Sequence, residues 1–141
     1  MNIIQKKKKI IQNFQTLGED IQTKLEYLIE IGEKLPPFPK KERIEDNKIA
    51  GCMSQVWLIH QYKNNLLTFM GDSNTVITKG LISILINFYM HETPQIILNH
   101  NLTWLQEIGL YHMIGPQRAN GLAYMVNKFK IIALQYLKKN D

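Results

Sequence analysis

Apolar residues recur at helical spacing from the start of the chain. Ile3, Ile4, Ile10, Ile11, Phe14 and Leu17 predict a first helix, and Gly18 is a natural stop. A second helix is expected after Asp20, a good N-cap residue, with Ile21, Leu25, Leu28 and Ile29 on its apolar face. Lys34-Leu35-Pro36-Pro37-Phe38-Pro39 ends it, because proline lacks an amide hydrogen and clashes with the preceding turn. Residues 40–48 are charged and polar and read as an exposed connection.

Two strand-like runs follow, residues 56–62 and 66–70, with Lys63-Asn64-Asn65 between them. Asparagine tolerates the left-handed conformation that a hairpin turn needs. Gly71-Asp72-Ser73 is expected to close the second strand, with Asp72 capping the next helix. Val76, Ile77, Leu81, Ile84, Leu85, Phe88 and Tyr89 cover more than half of that helix, so it is buried. Gly80 inside it costs ~1 kcal/mol relative to alanine and reads as a close approach to the sheet. Thr93-Pro94 opens a short helix, and Trp104 and Leu105 suggest another. Gly115-Pro116 starts the last helix, whose core stripe is Leu122, Val126, Phe129, Ile132 and Tyr136. The fold class is therefore α+β, a small antiparallel sheet packed by one face against N- and C-terminal helices.

The length of 141 residues suits a single domain over 1–141, and a hydrophobic fraction of 45% supplies a core. No run approaches the ~20 apolar residues of a membrane span. Met1 to Ile4 leads straight into Lys6, Lys7, Lys8 and Lys9 without a signal-peptide core, so the cytoplasm is the expected compartment. The net charge of +5 sits largely at the ends, in those lysines and in Lys128, Lys130, Lys138 and Lys139. No aromatics interleave with the N-terminal lysines as a base-stacking surface requires, so they read as solvated and no nucleic-acid partner is expected. His60, His91, His100 and His112 show no metal-site spacing.

Cys52 is the sole cysteine. An internal disulfide, a CxxC pair and the thiolate sets of usual iron–sulfur or structural zinc sites are all excluded. A buried inert cysteine and a single reactive thiol both remain. Gly51 directly before Cys52 permits a tight turn and close approach of another molecule. The position, between a polar segment and a strand, is one where loops carry function.

Gly51-Cys52-x-Ser54-Gln55-Val56-Trp57 resembles the signature of the SufE family. The resemblance continues through Gly71-Asp72-Ser73, Lys79-Gly80-Leu81 and Thr93-Pro94 to Pro116-x-Arg118-x-x-Gly121-Leu122 and Met125. These ordered blocks span roughly residues 25 to 125. The chain departs from the pattern at Met53, where glutamine is common, and at Asn74, where a second acid is common. It departs again at Gly115 and Gln117, where serines are common.

The resemblance implies a SufE/IscU-like fold and a sulfur acceptor for a cysteine desulfurase, SufS, in the Suf system of iron–sulfur cluster assembly. Cys52 is then the persulfide carrier, and the sulfur passes to the SufBCD scaffold complex. Arg118 is the candidate stabiliser of the thiolate or persulfide, since an opposite charge favours the ionised form; a salt bridge at the helix start is its other reading. Gly51, Ser54, Gln55 and Asp72 are candidates for shaping the loop, and Trp57 for core packing beside it. No cofactor is expected on this chain, because pyridoxal phosphate belongs to the desulfurase. No membrane partner is expected, and a homodimer stays open. An accessory carrier is implied rather than a stand-alone enzyme.

CsdE, a relative serving another sulfur-transfer pathway, tends to carry a different pair where Ser54-Gln55 stand, which favours SufE. Two other classes stay open. A cysteine hydrolase needs a Cys–His pair within hydrogen-bond reach. A small nucleic-acid-binding domain is motivated by the pI of about 9.3.

Overall fold

A computed structural model describes residues 1–139. The side chains of Lys138 and Lys139, named above for their charge, lie outside the described set. Among the described residues there are five α-helices and one hairpin: α1 (Ile3–Gln15), α2 (Ile21–Glu33), β1 (Val56–Lys63), β2 (Leu66–Ser73), α3 (Val76–Tyr89), α4 (Pro94–Asn99) and α5 (Leu110–Lys139). Short 3-10 turns lie at Lys40–Glu42, Glu45–Asn47 and Thr103–Ile108.

The helix starts follow local chemistry. Asn2 and Gln5 form a capping box, each side chain accepting from the other's backbone amide at 2.9 Å. Asp20 caps α2 by accepting from the Thr23 amide, and Thr93 caps α4 by accepting from the Ile96 amide. Ile21, expected on the apolar face of α2, is exposed at its first turn, while Leu28 and Gly32 are buried.

Antiparallel pairing runs from Val56 opposite Ser73 to Lys63 opposite Leu66. Asn64 and Asn65 both have positive φ, 54° and 66°, as a two-residue type I′ turn requires. The second strand is longer than predicted. Gly71, Asp72 and Ser73 are ladder residues of β2, not its closing turn. Glycine at 71 admits α3, since a Cβ there would lie 2.8 Å from Ile86 Cδ1. Both sheet edges carry one further bridge, Lys48 beside Trp57 and Glu92 beside Leu67, which limits unpaired strand edge.

The small sheet packs against helices as expected. Its inner face meets α3 through Gly71 and α5 through Phe69, whose ring lies 4.7 Å from that of Phe129. Helix α3 is buried along most of its length, and α1 and α2 pack on it rather than on the sheet. Gly80 therefore has a different reason from the one predicted. A Cβ there would lie 2.2 Å from the Leu28 carbonyl oxygen, so the glycine admits α2, not the sheet. Gly32 faces it from the other side, with its Cβ position 2.7 Å from the Gly80 amide nitrogen.

Lys6 also departs from its reading as solvated. Its Nζ donates to the carbonyls of Phe88 and Met90 and pairs with buried Glu92 at 2.6 Å. That places a cation on the C-terminal end of α3, where the helix dipole favours it.

The last helix begins earlier than predicted. One turn from Leu110 precedes Gly115, whose φ of 83° and ψ of 168° break the helix before Pro116 opens the long run. That backbone region is essentially restricted to glycine. Among the described residues no helix is long and apolar enough to cross a membrane.

Candidate functional site

The loop carrying Cys52 is tied down on both sides. The Ile49 amide donates to the Val56 carbonyl at 2.9 Å, closing the loop at its base. Ser54 Oγ accepts from Thr75 Oγ1 at 2.9 Å, in the segment that leads into α3. The Gln55 amide donates to Asn74 Oδ1 and the Asn74 amide returns a bond to the Gln55 carbonyl, at 3.0 and 3.2 Å. Ser54 thus shapes the loop through its side chain and Gln55 through its backbone.

Between these anchors the chain turns at Gly51, whose φ is +91°. A Cβ there would lie 2.6 Å from ring atoms of Tyr124, so the aromatic ring lies flat against this glycine. Cys52 is half-buried at the turn. Its Sγ donates to the Gly121 carbonyl at 3.5 Å. Gly121 turns its bare Cα face to the sulfur, and a Cβ there would be 3.6 Å from it.

The sulfur opens into a groove of about 460 Å³. The cysteine loop forms one wall, Thr78 and Leu81 of α3 a second, and α5 around its break at Gly115 a third. Arg118 lines the groove with Cys52. Its Nη1 donates to the Ile114 carbonyl at 3.3 Å, and among the described residues no carboxylate pairs with it. The salt bridge offered as its other reading is not formed there. Burial pushes the Cys52 thiol above its ordinary value, and no charged neighbour opposes that shift. Burial thus favours the neutral thiol over the thiolate.

Asp72 does not cap α3. Thr75 is the N-cap residue, and its side chain makes no capping hydrogen bond, donating instead to Ser54. Asp72 is buried on the outer sheet face, where it pairs with Arg43 and, at 3.4 Å, with Lys79. Through Arg43 it contacts the chain between the two 3-10 turns that precede the cysteine loop. Trp57 is buried on the same face, outside the main core cluster, with Arg43 Cζ 5.8 Å from its ring centroid. It is buried as expected of a core residue, and Lys48 bridges to it just ahead of the cysteine loop.

Thr78, Asn74, Tyr124 and Arg43 belong to the site's construction, and the sequence reading assigned them no role. Gly121 carried a signal, because a glycine inside a helix is tolerated for a packing or functional reason.

Residues 8–133 match the family described as SufE, Fe-S metabolism associated domain. The chain belongs to the SufE family. The solution structure of a hypothetical protein from Thermus thermophilus is similar in fold, with a TM-score of 0.77 over 94% of this chain and 96% of that one at 18% identity.

Within the SufE pattern, the departures of this chain gather at the cysteine loop and groove. Met53, Gly115 and Gln117 line the groove, and Asn74 anchors the loop. Among the described residues no histidine lines the groove or bonds Cys52, so the Cys–His pair of a hydrolase is not formed. His60 instead bonds Tyr136 at 2.8 Å.

Proposed function

We propose that this chain accepts sulfur from a cysteine desulfurase as a persulfide on Cys52 and delivers it for iron–sulfur cluster assembly. The observation that carries this reading is the placement of the one thiol: half-buried, on a turn fixed at both ends, in the lining of a groove, in a chain of the SufE family. Cys52 thiolate attacks the outer sulfur of the desulfurase persulfide. A new sulfur–sulfur bond forms, the old one breaks, and the desulfurase thiolate leaves with the electron pair. Pyridoxal phosphate remains with the desulfurase. The acceptor to which the sulfur passes is the Suf scaffold complex.

Because burial favours the neutral thiol, docking must expose or ionise Cys52. Ile49 is buried and hydrogen bonded, so the movable part of the loop is residues 50–53. Amide exchange of these residues rises when the desulfurase is added; unchanged exchange removes the moving loop from the scheme.

The test is intact-protein mass after incubation with desulfurase and L-cysteine, beside a Cys52→Ser control. A gain of one sulfur, lost on reduction and absent in the control, is the expected result. No gain with an active desulfurase from the same source defeats the proposal.

A further inference from the structure

The lining of the Cys52 groove has a bias that protein-to-protein sulfur exchange does not call for. It holds one cation, Arg118, two hydroxyls, Ser54 and Thr78, and the amide of Gln117. Among the described residues no carboxylate lines it. Asp72, the buried acid of β2, is engaged with Arg43 and Lys79 on the outer sheet face.

Arg118 is exposed and unpaired by any described carboxylate, and a guanidinium has five donors in a fixed fork suited to oxyanions. The groove is also bordered by the first turns of two helical runs, α3 at Thr78 and the main run of α5 at Pro116. A space of about 460 Å³ exceeds what one added sulfur atom on Cys52 requires.

We propose that the groove binds small sulfur oxyanions, thiosulfate and sulfite, beside Cys52 and that Cys52 exchanges its carried sulfur with them. The inference rests on Cys52 being a sulfur carrier and names a second, small-molecule source and sink for that sulfur. In the loading direction, Cys52 loses its proton to solvent and the thiolate attacks the outer sulfur of thiosulfate. The Cys52 sulfur–sulfur bond forms, the bond between the outer and sulfonate sulfurs breaks, and sulfite leaves with the electron pair. In the unloading direction, the sulfite sulfur attacks the outer sulfur of the persulfide. Thiosulfate forms and Cys52 leaves as the thiolate. No external oxidant or reductant enters either step. Arg118 and the Ser54 hydroxyl hold the sulfonate oxygens, Thr78 Oγ1 donating to Ser54 Oγ at 3.4 Å.

The experiment uses the full chain. Thiosulfate alone, without desulfurase, is expected to add one sulfur to Cys52 and release sulfite, read by intact mass and by sulfite assay. In a second arm, Cys52 is loaded by desulfurase and L-cysteine, the desulfurase is removed, and the persulfide is discharged with sulfite or with cyanide. Cyanide is largely neutral hydrogen cyanide at pH 7 and has no oxygens for the guanidinium to hold.

Arg118→Ala is expected to lower the ratio of sulfite to cyanide discharge rates about tenfold, the effect of losing a charge-assisted hydrogen bond. Arg118→Lys is expected to restore part of it. Loading by desulfurase without loading by thiosulfate overturns the inference and leaves the carrier role standing. Loading by neither defeats both. An unchanged sulfite-to-cyanide ratio in Arg118→Ala overturns the groove's part in the exchange.

Discussion

Gly51 and Gly121 bracket Cys52, and each contributes by lacking a side chain. At Gly51 the positive φ and the Tyr124 ring both exclude a Cβ. Gly51→Ala should cost about 2 kcal/mol in chemical denaturation, from left-handed strain plus displacement of the ring. Adding Tyr124→Ala should recover the steric part alone. Gly121 instead leaves room beside the sulfur. Burial raises the Cys52 thiol from its ordinary value of 9.0, which has a readable sign. The unfolded chain releases this proton at lower pH than the folded one, so Cys52 lowers folding stability as the pH rises through 9.0 and beyond. Denaturation midpoints of the parent chain should fall more steeply across that range than those of Cys52→Ser. Parallel curves would contradict a buried, uncompensated thiol.

At the scale of elements, the contact between α2 and α3 is set by two glycines facing each other. Gly80→Ala gains helix propensity of ~1 kcal/mol, but its methyl meets backbone rather than a yielding side chain. Overpacking of this kind costs about 1–3 kcal/mol or more, so the variant should be less stable by urea titration despite its better propensity. Most of this architecture is legible in the residue pattern. Asp20 and Thr93 announce their helices because capping is local chemistry, and the Asn64-Asn65 turn announces the hairpin for the same reason. What stays hidden depends on elements far apart in sequence. Gly71-Asp72-Ser73 has the composition of a turn, yet it continues β2 because α3 presses on Gly71 and Arg43 reaches Asp72. The target of Gly80 and the break at Gly115 are likewise set by tertiary geometry. In the site, the Cys52 loop is readable from Gly51 and the ordered motif, whereas the Asn74 anchor and the Tyr124 ring are not.

Across the whole molecule, α3 is the middle layer, carrying the N-terminal helices on one side and the hairpin on the other. Lys6 fastens α1 to its C-terminal end, while the cysteine loop is fastened to its N-terminal end through Ser54 and Thr75. Lys6→Met should therefore leave Glu92 buried without its cation, at a cost of about 3–5 kcal/mol by thermal or chemical denaturation. Lys6→Met with Glu92→Gln should recover part of that loss. Equal stability of the single variant and the parent would show the pair to be solvated after all.

Met53 stands 80% exposed next to Cys52 in the chain. Its thioether is open to slow oxidation by air during storage, and sulfoxide is not reversed by ordinary thiol reductants. Two oxygens have the same nominal mass as one sulfur. An ageing sample oxidised at Met53 and at one further methionine would therefore imitate a charged carrier on a low-resolution spectrum. Fresh protein, reversal by thiol and fragment localisation to Cys52 separate cargo from weathering.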